Sequence, residues 1–283
     1  MEDPVRLGVE TLPGGRRLAW SEWGPRDGRP VLLFPGAATS RWLGLATGVP
    51  DALGVRLISI DRPGLGTSDP DPGRSLSDWA DDVRAFADAR GLGRPAAVAY
   101  SQGAPFGLAC AHAGVVSALA VVAGTDELAA PDVRRLLVPD VEKLVWLSET
   151  NVAAAREAFA GLANPDAMTE MVTSMSSDAD RAVYTEPSFA AAYRQALTEA
   201  FAQGPDGYVT DTVLSMRRWP FDPAEIEVPV ALWYGAGDTS PVHSPDHGAT
   251  LARRIPGATR VVLPDEGGAL LWTQSREILR GLG

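Results

Sequence analysis

Lysine is nearly absent from this chain of 283 residues: of its 25 basic residues only Lys143 is not an arginine, and 36 acidic residues leave a formal net charge of -11. A surface of that sign does not track a phosphate backbone, because nucleic-acid binding needs clustered cations to release counterions. Cysteine occurs once, as Cys110. That excludes an internal disulfide and a cysteine-based metal cluster, and it fits a reducing, cytoplasmic setting. No run of about 18 apolar residues is present, so no membrane-spanning helix is expected. The opening Met1-Glu2-Asp3-Pro4 lacks the basic-then-apolar pattern of a secretory leader. Histidine, the side chain most often used for proton transfer, occurs three times, as His112, His243 and His247.

What is present is apolar content, 45% of residues, sufficient for one large core. Residues 16–23 alternate loosely between polar and apolar, as a half-buried strand near a sheet edge does. Residues 30–34, 55–60, 95–100 and 117–122 are short apolar runs suited to buried parallel strands. Between them, 75–90 is the clearest amphipathic helix, with Ser75 and Asp78 spaced as a capping box. A small-residue helix follows over 102–112. Such alternation predicts right-handed crossovers and a parallel sheet. It stops over residues 126–222, where the patterns are helical throughout, with helices expected over 133–148, 152–162, 167–174, 189–201 and 208–216. This block reads as a cap over a core made of 1–125 and 223–283. Strands over 228–234 and 260–263, a helix over 245–254 and a last helix from Leu271 restore the α/β rhythm.

Ser101 lies in Ala99-Tyr100-Ser101-Gln102-Gly103, between an expected strand and an expected helix. A nucleophile elbow needs small residues at both flanks, because the turn is too tight for larger side chains. Three further segments join it: Phe34-Pro35-Gly36-Ala37-Ala38-Thr39, Asp61-Arg62-Pro63-Gly64-Leu65-Gly66-Thr67-Ser68-Asp69, and Tyr234-Gly235-Ala236-Gly237-Asp238. Together they resemble the oxyanion loop, the Asp-x-Pro-Gly-x-Gly-x-Ser segment and the acid turn of the α/β-hydrolase fold superfamily, over nearly the whole chain. The resemblance implies a mostly parallel, eight-stranded sheet with flanking helices and a helical cap insertion. It also implies Ser101 as nucleophile, Asp238 as triad acid, and an oxyanion hole at Gly36 formed by the Ala37 and Gln102 amides. The usual His-Gly of the oxyanion loop appears here as Pro35-Gly36.

One family element is missing. A histidine is expected a few residues past the last strand, and this chain has Gly267-Gly268 there. Loss of a triad base costs about a million-fold in turnover, so a substitute matters. His112, eleven residues beyond Ser101 on one helix, is about 16 Å away at 1.5 Å per residue and is excluded. His247 is expected to face outward. His243, in a lengthened loop five residues after Asp238, is the candidate that can fold back toward Ser101, with an ordinary loop histidine as the competing reading. Asp126, after the sixth strand, is the alternative acid position in some relatives, or a cap-hinge residue.

Three functions remain open at this point: a serine hydrolase of modest apolar esters, lactones or thioesters; a non-hydrolytic enzyme using the same oxyanion hole for C–C cleavage, elimination or cyclisation; and a non-catalytic ligand-binding protein. A small-molecule partner is expected in each, with no metal, cofactor, nucleic acid or membrane, and the oligomeric state is not indicated. The cap offers Trp146, Met171, Met175, Tyr184, Tyr193, Tyr208 and Trp219 as candidates for an apolar wall around the ligand, Trp146 and Trp219 foremost.

Overall fold

The computed structural model describes residues 1–283. Its centre is one eight-stranded sheet in the order β1-β2-β4-β3-β5-β6-β7-β8, with β1 (Arg6–Thr11), β2 (Arg17–Trp23), β3 (Arg29–Phe34), β4 (Val55–Ile60), β5 (Ala96–Tyr100), β6 (Leu119–Val122), β7 (Val230–Gly235) and β8 (Thr259–Leu263). β1 pairs antiparallel with β2, and β2 antiparallel with β4, whereas every pairing from β4 to β8 is parallel. β5, β6 and residues 31–34 of β3 read as unbroken apolar runs because both faces of a parallel sheet are covered by helices, while β4 is interrupted by Arg56 and Ser59. β1 is the strand whose pattern gave no sign of itself. Its apolar Leu7 and Val9 point to solvent while Gly8 lies against the Trp20 ring, the reverse of the usual alternation.

Helices α1 (Val49–Ala52), α2 (Leu76–Ala89) and α3 (Gly103–His112) follow the first strands. The capping box of α2 forms as expected, with the Asp78 amide on Ser75 Oγ and the Ser75 amide on the Asp78 carboxylate. On this face Phe34, Trp79 and Phe106 meet edge to face at 5.9 and 6.3 Å, the preferred geometry for aromatic pairs.

Between β6 and β7 the chain is helical: α4 (Pro131–Arg134), α5 (Pro139–Thr150), α6 (Val152–Ala160), α7 (Pro165–Met175), α8 (Asp178–Tyr184), α9 (Pro187–Ala200) and α10 (Asp206–Met216). The single helix expected over 133–148 is two, because Pro139 cannot donate to a continuing helix and instead starts α5. α8 escaped the periodicity: seven residues capped by Ser177 are too few to show a face. All of these helices except α8 contribute to one apolar cluster that includes Ala38 and Leu65 from the loops after β3 and β4, while Tyr184, Phe189 and Ala196 of α8 and α9 pack with the sheet. The helix expected over 245–254 shortens to α11 (Ala249–Arg254), since His247 and Gly248 both take left-handed conformations, φ 52° and 75°. The final helix divides into α12 (Leu270–Thr273) and α13 (Ser275–Arg280). No helix is long and apolar enough to cross a membrane.

Candidate active site

Ser101 sits at the turn between β5 and α3 with φ 50°, a left-handed conformation that costs a non-glycine residue about 1–3 kcal/mol. The surroundings hold it there: its amide donates to Val122 O at 3.0 Å, and its carbonyl accepts from Ala104 and Thr125. The small flanks are explained by close approach. A Cβ on Gly103 would lie 2.2 Å from Phe34 O, and one on Gly107 2.6 Å from Ala99 Cβ.

The carboxylate of Asp238 and the ring of His243 complete a hydrogen-bonded line. Ser101 Oγ is 2.8 Å from His243 Nε2, and His243 Nδ1 is 2.6 Å from Asp238 Oδ2. Burial alone raises the Asp238 carboxyl, but the His243 imidazole and the Ser240 amide more than offset it and leave it below the usual aspartate range. An ionised carboxylate only accepts, so Nδ1 carries the proton and Nε2 is free to accept from the serine hydroxyl.

The loop bearing His243 is anchored rather than loose. The Ser244 amide donates to Gly124 O at 2.9 Å, and Ser244 Oγ reaches Asp126 Oδ2 at 3.2 Å while accepting from the Gly248 amide. Asp126, fully buried, makes no hydrogen bond to His243; it serves the loop through Ser244. Burial pushes its carboxyl up to about 6. The other histidines are elsewhere: His112 bonds Glu225 and stacks on Phe221, and His247 presents its carbonyl to Arg260.

Gly268 lies beside this line. An added Cβ there would stand 3.0 Å from Asp238 Oδ1, so the position still faces the acid, but the imidazole arrives from the opposite loop. The amides of Gly268 and Ala269 instead donate to Asp180 of α8, at 2.9 and 2.8 Å, and the Gly268 carbonyl accepts from Tyr100 Oη at 3.1 Å. Asp180 was invisible in the sequence, because an aspartate near the start of a short helix reads as a cap.

A cavity of about 750 Å3, counted with its open mouth, borders Ser101 and His243. Gly36, Ala37, Tyr100 and Trp272 line it from the sheet side. Met168, Met171, Val172 and Met175 of α7 line it from above, with Tyr184, Phe189 and Tyr193 beyond. Neither the Ala37 nor the Gln102 amide donates to any group of the protein. The Gln102 side chain turns away to Thr212 at 3.0 Å, leaving only its main-chain N–H at the elbow.

A family model described as alpha/beta hydrolase fold matches residues 29–274. The chain belongs to that family. Among solved structures, this α/β hydrolase is similar to a bromoperoxidase from Bacillus anthracis (TM-score 0.72, 18% identity, 98% of each chain covered). It is also similar to an enol-lactonase from Burkholderia xenovorans (TM-score 0.69, 19% identity, 97% of each chain). An esterase from a Rhodococcus species gives TM-score 0.64 at 18% identity over 98% of this chain and 99% of that one. At such identities the likeness is one of fold. A non-heme chloroperoxidase from Streptomyces lividans is 32% identical over 104 residues, 34% of this chain. The α/β hydrolase thus spans about a third of the length of the curated relative it matches, 36%.

Three of the expected wall residues are not part of this α/β hydrolase's cavity. Trp146 is 49% exposed on the outer side of α5. Trp219 stacks on Phe221 at 5.5 Å inside the sheet-face core, and Tyr208 packs edge-on against Phe201. Large aromatic size alone does not say which surface a side chain covers: Trp146 faces solvent, and Trp219 and Tyr208 are taken up in packing against their neighbours. Met171, Met175, Tyr184 and Tyr193 do line the cavity.

Proposed function

We propose that the protein is a serine hydrolase of apolar carboxylic esters, lactones or thioesters of modest size. Ser101 is the nucleophile, His243 the general base supplied from the loop after β7, and Asp238 the acid that orients it. The reading is carried by the unbroken line from Ser101 Oγ through the His243 ring to Asp238, 2.8 and 2.6 Å. Both distances lie within the reach proton transfer requires.

In the acylation step Nε2 takes the serine proton as Oγ attacks the carbonyl carbon, and the imidazolium then returns it to the departing alcohol or thiol. Water repeats the sequence to release the acid. The negative oxygen of each tetrahedral intermediate is received by the unpartnered Ala37 and Gln102 amides, a contribution of roughly 3–4 kcal/mol for each donor. The segment over residues 126–222 acts as a cap, and the methionine face of α7 receives the apolar part of the substrate. The non-hydrolytic and binding-only readings drew their motive from an empty histidine position. With an imidazole on Ser101 that motive falls away.

A fluorophosphonate probe tests the reading. Adduct at Ser101 is expected in the parent protein, with none in Ser101→Ala and a labelling rate about 1,000-fold or more lower in His243→Ala. Unchanged labelling in His243→Ala would remove His243 as the base.

A further inference from the structure

The segment from Asp61 to Asp69 carries much of the family resemblance yet contributes no residue to the cavity wall. Its first two side chains, Asp61 and Arg62, reach into the loop that follows β3. Asp61 accepts from the Arg41 amide at 2.6 Å and pairs with the Arg41 guanidinium, which fixes the far end of that loop. Arg62, 1% exposed, fixes the near end: Nη1 donates to Pro35 O at 2.7 Å and Nη2 to Gly36 O at 3.0 Å. Its Nε donates to Asp211 Oδ2 of α10 at 2.6 Å, and Asp211 also pairs with Arg74. Each of the three guanidinium nitrogens thus donates one hydrogen bond.

A trans peptide is planar, with its C=O and N–H pointing in opposite directions, and this chain has no cis peptide bond. The Gly36 carbonyl and the Ala37 amide belong to one such unit. Holding the Gly36 oxygen on Arg62 turns the Ala37 N–H away from Arg62, toward the cavity that Gly36, Ala37 and Ser101 share. A Cβ on Gly36 would stand 3.4 Å from Ser101 Cβ, so the peptide runs directly beside the nucleophile. A cation on the carbonyl end also polarises the unit and strengthens the N–H as a donor.

We propose that Arg62 is a positioning residue of the oxyanion site, a buried guanidinium that sets both the direction and the donor strength of the Ala37 amide through the Gly36 peptide. It rests on the reading of Ser101 as nucleophile. In this chain the oxyanion loop carries proline before Gly36, and Arg62 secures that proline's carbonyl as well.

The test uses Arg62→Gln and Arg62→Lys beside the parent, each counted by exhaustive fluorophosphonate titration so that only folded sites enter the rate. With p-nitrophenyl butyrate, kcat per titrated site is expected to fall about 10–100-fold in Arg62→Gln, somewhat less than loss of a whole oxyanion donor. KM should stay within about two-fold, the labelling rate should fall in parallel with kcat, and Arg62→Lys should recover part of the loss. A lowered melting temperature with unchanged kcat per site overturns the proposal, because Arg62 is then only a strut to α10. So does a loss confined to KM. If the parent itself takes no label, the nucleophile reading fails and the proposal with it, an outcome distinct from a parent that labels and variants that keep pace. Should neither variant fold, the structure of the parent's phosphonate adduct decides. A phosphonyl oxygen within hydrogen-bond reach of Ala37 N, with Arg62 on the Gly36 carbonyl, supports the role, and an oxygen out of that reach overturns it.

Discussion

The Asp238 carboxylate meets the His243 ring on one side and the bare Cα of Gly268 on the other. The adjacent Gly267 is bare for a different reason: its Cβ would fall 2.3 Å from Asp180 Oδ2, inside the carboxylate that caps the Gly268 and Ala269 amides. Neighbouring alanine substitutions should therefore have separable effects. Gly268→Ala places a methyl 3.0 Å from Asp238 Oδ1, which forces the acid to shift by a few tenths of an ångström. Its kcat is expected to drop about 10-fold with little loss of stability, since small misplacements of the reacting groups are costly. Gly267→Ala must displace Asp180 and leave two buried amides unpaired, and is expected to cost about 2–3 kcal/mol in urea denaturation. If both substitutions damage the same property, the two glycines share one role and this assignment fails.

At the level of elements, the sequence pattern anticipated the sheet except for β1, and the helices between β6 and β7 except for α8 and the break at Pro139. Buried parallel strands such as 55–60 coincide with the expected runs because burial on both faces favours apolar residues, with Arg56 and the buried Ser59 the exceptions in this strand. Ser101 and Asp238, the nucleophile and acid of the proposed site, could be singled out in the sequence because the tight turns that carry them are local constraints, written in adjacent small residues. His243 was legible only as one of two options, since whether a loop folds back depends on anchors such as Gly124 and Asp126, more than a hundred residues earlier. Four of the seven side chains expected to wall the ligand line the cavity. Met171 and Met175 face the cavity, whereas Trp146 and Trp219 do not, and helical spacing alone does not say which face is covered. On α7 the positions 168, 171, 172 and 175 form one i, i+3, i+4, i+7 stripe over the site. Methionine side chains are unbranched and adaptable, a wall suited to extended apolar chains of variable length. Met171→Trp is expected to shorten the accepted chain: KM for p-nitrophenyl octanoate should rise about 10-fold while the acetate ester changes little. An equal change for both esters would place the acyl chain elsewhere.

For the whole molecule, the buried Asp126, four residues past β6, is tied through Ser244 to the loop that carries His243, without a paired cation. Around it stand the Glu127 amide, the Ser244 hydroxyl, the carboxylate of Asp246 and the more distant Arg254. Burial is the main cause that pushes its carboxyl up to about 6, with Asp246 adding to the shift and the Glu127 amide opposing it. The unfolded chain releases the same proton at about 3.9. Between these values the folded protein binds more protons than the unfolded one, so stability falls as pH rises through this window and is flat in this respect above it. The difference of roughly two pH units corresponds to about 3 kcal/mol as an upper figure. Asp126→Asn keeps an oxygen for the Glu127 amide and offers Ser244 a donor, while the hydroxyl can still donate to Asp246 Oδ1, 3.1 Å away. The variant is therefore expected to match the parent near pH 4 and to exceed it by about 1–3 kcal/mol at pH 7.5 in urea unfolding. A variant less stable than the parent at pH 7.5 would show instead that the charged carboxylate is what holds the His243 loop against the sheet.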